Sequence, residues 1–119
     1  MSKKILIIDD EIDVMKMLVY RLKAKGFEII TAPSGKDGIN MAKIHLPDLI
    51  LLDYRLPDIN APEVSKKLRE EESLKHTPII LVTASVQEIQ KNAKECQAVE
   101  YIAKPIDSEE LYAKVERHI

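Results

Sequence analysis

Five short apolar runs recur along the chain at intervals of about 20–25 residues, and each interval carries a helix-like pattern. This alternation is the tightest constraint in the sequence, because adjacent parallel strands need a crossover of a dozen or more residues, usually a helix. The runs are KILIID (4–9), FEIITA (27–32), DLILLD (48–53), PIILVT (78–83) and the shorter VEYIA (99–103). The first, third and fourth are continuously hydrophobic, which marks central strands covered on both faces. The second contains Glu28 and Thr31 and is placed at an edge. Between the first two runs, Glu11–Lys25 puts Val14, Met15, Leu18 and Leu22 on one helical face and stops at Gly26, a residue suited to a left-handed helix end. Met17 and Tyr20 fall outside that stripe. Right-handed crossovers then make five β–α units into a three-layer α/β sandwich, read as one domain over residues 1–119.

The helix starts share a local chemistry. Ser34, Asn60, Ser85 and Asp107 each stand three residues before an acid (Asp37, Glu63, Glu88 and Glu110), which is the capping-box spacing or a close variant. Pro62 falls in a first helical turn, where a missing N–H costs little. With 119 residues, 45% hydrophobic and 32% charged, the chain is long enough to bury a core and is not of disordered composition. A formal net charge of −2 offers no basic surplus, so direct nucleic-acid binding is not expected. Met1–Lys4 leads straight into the first run without a signal-peptide pattern, and no run is long enough to span a membrane. The single cysteine, Cys96, has no internal disulfide partner and is read as a small core residue. These features fit a cytoplasmic protein. His45, His76 and His118 lie in or beside helices, spaced unlike metal ligands, and are expected at the exposed surface.

Open parallel sheets bind ligands beyond the C-terminal ends of their strands. The residues there are Asp9 and Asp10 after the first run, Asp53 after the third, Thr83 after the fourth, and Lys104 followed by Pro105 after the fifth. Each alone reads as a helix cap or a solvated surface group. Together they form a kit for phosphoryl transfer. Carboxylates are hard oxygen ligands for Mg²⁺, and one carboxylate can act as a nucleophile to form an aspartyl phosphate. A cation and a hydroxyl then stabilise charge on the transferring group. No Ser–His or Cys–His constellation competes at this edge.

The segments IIDDE (7–11), LLDYRLPD (51–58), VTA (82–84) and YIAKP (101–105), in this order and spacing, resemble the receiver (response regulator) domain of two-component signalling over essentially the whole chain. That resemblance implies a flavodoxin-like sheet in strand order 2-1-3-4-5, an order that the general rule for doubly wound folds itself illustrates with a chemotaxis receiver. It implies Asp53 as phosphoacceptor, receiving the group from a phosphohistidine on a kinase or histidine phosphotransfer protein. Asp10 and Asp53 would be direct Mg²⁺ ligands, Asp9 would act through a metal-bound water, and the backbone carbonyl of Arg55 would fill another position. Lys104 would pair with phosphoryl oxygens or with unmodified Asp53. Thr83 would bind a phosphoryl oxygen and Tyr101 would turn inward with it. The Lys104–Pro105 bond would be cis, and output would pass through the face made by the fourth helix, fifth strand and fifth helix. Such a chain is a switch that catalyses only its own phosphorylation and dephosphorylation. It acts on an effector protein or a covalently linked output domain.

Two departures stand out: Ala61 and Gln97 occupy positions where many receivers have Gly, whose backbone freedom they lack. By the same resemblance, Arg55 and Ser85, two residues after Asp53 and Thr83, would flank the path of attacking water. Arg55 reads equally as a charge beside the phosphoryl group or as a solvated loop residue. Glu11 reads as a first-turn acid favoured by the helix dipole. Three alternatives remain at this stage: a Mg²⁺-dependent phosphatase with an Asp nucleophile, a flavin or nucleotide module, and a phosphorylation-independent interaction domain of the same fold. The first lacks the usual Asp-x-Asp spacing and room for a cap. The second lacks a Gly/Ser/Thr-rich loop after the first strand.

Overall fold

The computed structural model describes residues 2–119; Met1, the first residue of the N-terminal lead, lies outside them. Five strands alternate with five helices: β1 (Lys4–Ile8), α1 (Ile12–Ala24), β2 (Glu28–Ala32), α2 (Gly35–His45), β3 (Leu49–Leu52), α3 (Ala61–Glu70), β4 (Ile79–Thr83), α4 (Ile89–Glu95), β5 (Glu100–Ala103) and α5 (Ser108–His118). A single 3₁₀ turn, Glu72–Leu74, follows α3. All pairings are parallel and the strand order is β2-β1-β3-β4-β5. The run carrying Glu28 and Thr31 is therefore an edge strand, and β1, β3 and β4 are central.

Period-two alternation divides the buried residues into two cores. Leu6, Ile8, Ile50, Leu52, Ile79 and Leu81 face α2, α3 and α4, where they meet Ile39, Val64, Leu68, Ala93 and Cys96. Ile5, Ile7, Leu49, Leu51, Ile80, Val82 and Ile102 face α1 and α5, where they meet Leu18, Leu22, Leu111 and Val115. Met17 packs half-buried against this second core, so only Tyr20 of the off-stripe pair in α1 is a surface residue. The core that α1 packs into holds Leu111 and Val115 of α5 as well as the strand residues, and the buried stripe is accordingly wider than two residues per turn. Cys96 is fully buried, which pushes its thiol up to about 12. Of the histidines, His76 is exposed, whereas His45 and His118 are half-buried. His118 lies 2.6 Å from Glu100 on β5, which also accepts from Arg117 at 2.7 Å.

Three of the four expected caps form. Ser34, Asn60 and Asp107 accept from the backbone N–H groups of Asp37, Glu63 and Glu110 at 3.2, 2.9 and 2.9 Å. Ser85 does not cap. The chain turns once more before α4 starts at Ile89, Glu88 sits at the N-cap with a left-handed φ of 59°, and the Ser85 hydroxyl accepts from Arg55 instead. At Ala61 the departure from Gly is harmless, because this residue opens α3 in right-handed geometry and is fully buried. Gln97 is different: its φ is 52°. It closes α4 in a Schellman arrangement, with Gln97 N–H donating to Lys94 C=O at 3.0 Å and Ala98 N–H to Ala93 C=O at 2.9 Å. Gly26 closes α1 the same way at φ 92°, without the steric cost a Cβ brings.

The left-handed cost at Gln97 exceeds the entropy Gly would lose, so Gln97→Gly is expected to raise stability by about 0.5–1 kcal/mol in urea unfolding. A lower midpoint for that variant would show that the Gln side chain contributes more than its backbone angle costs.

Candidate functional site

Parallel register brings the ends of the strands to one edge. Ile8 pairs with Leu52, and Thr83 with Ala103. Backbone hydrogen bonds extend the ladder one step further: Asp9 N–H to Ala32 C=O at 3.1 Å, Asp53 N–H to Ile8 C=O at 3.0 Å, and Lys104 N–H to Thr83 C=O at 3.0 Å. Asp9, Asp53 and Lys104 are thus held by the sheet itself rather than by loose loops. Asp9 and Asp53 are only 2% and 4% exposed, whereas Asp10 is exposed.

Burying two carboxylates side by side is unfavourable without a counter-charge. Lys104 supplies it. Its Nζ lies 2.8 Å from Asp9 Oδ2, 3.2 Å from Asp53 Oδ2 and 2.9 Å from Glu11 Oε1. Three N–H donors therefore meet three carboxylates. Burial opposes the ammonium charge, but the bonds to Asp9 and Glu11 and the charges of Asp53 and Asp9 outweigh it and hold Lys104 above the usual lysine range. For Asp53, burial dominates. Even with Lys104 pulling the other way, burial and neighbouring Asp9 leave its carboxyl raised. Glu11 was the member the sequence concealed. It stands at the N-cap of α1 rather than inside the first turn, and its side chain makes no cap bond. Only the fold brings it across 93 residues of chain to Lys104.

The remaining expected residues gather around a cavity of ≈ 310 Å³ lined by Asp10, Glu11, Asp53, Arg55, Thr83 and Ser85 among others. Thr83 is buried, and its Oγ1 accepts from Ser85 N–H at 3.1 Å, leaving the hydroxyl proton free to donate elsewhere. Arg55 is an exposed loop residue, as one of its two readings has it, and its Nε donates to Ser85 Oγ, linking the β3–α3 and β4–α4 loops beside the cavity. Tyr101 is not in this cavity. It is half-buried on β5, lines a groove of ≈ 530 Å³ between α4 and α5, and has the Lys114 ammonium 5.5 Å from its ring centre. The Lys104–Pro105 peptide bond is cis.

Sequence reasoning also missed Asp58. Its two oxygens accept from Gly35 N–H at 2.8 Å and Lys36 N–H at 2.9 Å. With Ser34 Oγ taking Asp37 N–H, the three N–H groups of the first turn of α2 are satisfied, and Gly38 N–H to Ser34 C=O is the first intrahelical bond. The bond from Lys36 comes first among the causes that hold the Asp58 carboxyl below its ordinary value. The β3–α3 loop beside Asp53 is thereby tied to α2. The close approach leaves no room for a side chain at Gly35, where a Cβ would fall 2.6 Å from Ile59 Cγ1. In the sequence Asp58 stands out only as part of the LLDYRLPD segment, and no local spacing points to the distant helix it holds.

Carboxylate oxygens of Asp9, Asp10 and Asp53 lie within 4.8 Å of one another. Three hard oxygen donors at such spacing, beside an open cavity, suit a divalent cation that keeps several waters. A family model described as the response regulator receiver domain matches residues 5–116. The alkaline phosphatase synthesis transcriptional regulatory protein PhoP of Bacillus subtilis is 38% identical over 116 residues, covering 97% of this chain and 48% of that protein. The chain thus spans about half the length of this relative. Among solved structures, chemotaxis protein CheY4 of Vibrio cholerae superposes with a TM-score of 0.92 at 28% identity, covering 100% of both chains. Response regulator TrrA of Thermotoga maritima, solved in complex with Mg²⁺-BeF, gives a TM-score of 0.87 at 31% identity over 98% of this chain and 99% of that one.

Two expectations follow from the charge arrangement. Because the folded state raises the Asp53 carboxyl above its unfolded value, ionised Asp53 destabilises the metal-free protein. Asp53→Asn is therefore expected to unfold at higher urea near neutral pH. That advantage should shrink as pH falls towards about 4, where unfolded Asp also takes a proton. An equal or lower midpoint at neutral pH would contradict this. Lys104→Met leaves Asp9 and Asp53 buried without their shared cation and is expected to cost about 3 kcal/mol in the absence of metal.

Proposed function

This chain belongs to the response regulator receiver domain family, the signalling switches of two-component systems, and we propose that Asp53 is its phosphoacceptor. Receiver domains work with histidine kinases and effectors. The phosphatase and flavin-module alternatives fall away with the family assignment, and the observation that carries the finer reading is the Lys104 cradle. A buried carboxylate on a strand end, 3.2 Å from a fixed ammonium and beside two further acids, is a nucleophile with its charge-stabilising groups already in place.

In this reading Asp53 attacks the phosphorus of a phosphohistidine on a kinase or histidine phosphotransfer protein. The P–N bond breaks, its electron pair returns to the imidazole, and an acyl phosphate forms on Asp53. Mg²⁺ is the cation this donor set suits, and when bound it neutralises charge on the phosphoryl oxygens. Asp10 and Asp53 would hold it directly, with the Arg55 carbonyl. Asp9 would act through water, in keeping with both its oxygens being engaged, one by Lys104 and one by Glu11 N–H at 2.9 Å. Lys104 moves from the Asp53 carboxylate to a phosphoryl oxygen, and the Thr83 hydroxyl donates to another. Those bonds exist in only one conformation, so phosphorylation biases a two-state equilibrium. Tyr101, packed at the rim of the core between α4 and α5, is the side chain that would follow Thr83 inward and carry the change to an effector or linked output domain.

Hydrolysis of the acyl phosphate would return the switch to rest, with Arg55 and Ser85 flanking the water's approach. Self-catalysed gain and loss of phosphoryl is the whole of the chemistry proposed, with residues 1–119 acting as one unit. Among the described residues no helix is long and apolar enough to cross a membrane, and the −2 net charge argues for protein partners rather than nucleic acid. A cytoplasmic setting is proposed on the same grounds.

Incubation with Mg²⁺ and a small acyl phosphate is expected to add one phosphoryl group by intact mass. The adduct should be absent with chelator and absent in Asp53→Asn. A protein that stays unmodified, or an Asp53→Asn variant that still gains the group, would overturn the assignment.

A further inference from the structure

Glu11 has no task in the chemistry just described, yet it makes one of the three bonds that fix Lys104. Its backbone sits at the N-cap of α1 with extended angles (φ −82°, ψ 110°), where a side chain ordinarily accepts from a helix N–H. Its carboxylate turns away from the helix and reaches Lys104 Nζ at 2.9 Å. Two properties set it apart from Asp9 and Asp53. Its side chain is 54% exposed whereas theirs are buried, and it lines the cavity that an incoming group must enter.

Three partners saturate a lysine ammonium. A phosphoryl oxygen gains Lys104 only by displacing a carboxylate or sharing its proton, and Glu11 remains able to hold the lysine after Asp53 has been modified. The same carboxylate places negative charge at the cavity wall, which attracts a cation and repels a phosphoryl group. We propose that Glu11 is an intramolecular competitor for Lys104, a positioning residue that keeps the ammonium in its resting arrangement and lowers the site's affinity for a phosphoryl group. This rests on the reading of Asp53 as acceptor and adds a restraint on it. Glu11 sets how readily the switch turns on.

The competing attractions predict a split that a merely structural residue would not produce. Glu11→Gln keeps the shape and removes the charge. Glu11→Asp keeps the charge but withdraws it from Lys104. The test titrates each protein with Mg²⁺, then with beryllofluoride at saturating Mg²⁺, by calorimetry. Glu11→Gln is expected to bind Mg²⁺ more weakly and beryllofluoride roughly three- to tenfold more tightly than wild type, the scale of one charge pair near a protein surface. Glu11→Asp is expected to bind Mg²⁺ like wild type and still gain affinity for beryllofluoride. Wild-type protein that takes up beryllofluoride while both variants match it, or bind it more weakly, overturns the competitor role alone. Wild-type protein that takes up neither beryllofluoride nor a phosphoryl group overturns the acceptor reading and this inference with it.

Discussion

The ion cluster at Lys104 is the interaction on which the rest of the site depends. Two buried aspartates at the ends of neighbouring parallel strands repel one another, and the sheet cannot separate them because its register fixes their spacing. One ammonium offsets both and ties β1, β3 and β5 together at the edge where chemistry is possible. The balance is incomplete, since three carboxylates surround one cation and Asp10 adds a fourth at the rim. A site left with surplus negative charge has unmet demand for a cation, and that demand would make metal binding a condition of its reactivity.

Around this cluster the loops are held by bonds that leave few alternatives. Asp58 anchors the β3–α3 loop to the start of α2, and Arg55 links that loop to Ser85 after β4. The end of α4 is gripped from α3, where the buried Ser65 hydroxyl donates to Cys96 C=O at 2.6 Å and Arg69 reaches Gln97 C=O at 3.5 Å. The start of α4 is less constrained, with an uncapped N-terminus and a left-handed Glu88.

Much of this was legible beforehand because it depends on local pattern. Apolar runs of the right length and spacing dictate parallel strands with crossovers, and Glu28 and Thr31 mark the edge. The strand-end rule then gathers Asp9, Asp10, Asp53, Thr83 and Lys104 without any structure. Where local pattern misled, a distant partner had intervened. Ser85 has cap spacing, but Arg55 takes its hydroxyl. Met17 falls off the helical stripe, but it packs half-buried against a core that α5 also joins. His118 has no nearby motif, but α5 ends beside Glu100.

The sequence alone determined five β–α units and brought Asp9, Asp10, Asp53, Thr83 and Lys104 to one edge, because hydrophobic periodicity and crossover handedness act over short distances. The strand order followed from the receiver resemblance. Only the tertiary structure decided how charge is shared at that meeting point. Glu11 joins Lys104 and Asp58 caps α2 through contacts between residues far apart in the chain. Their geometry follows from how helices seat on the sheet, which no local spacing encodes.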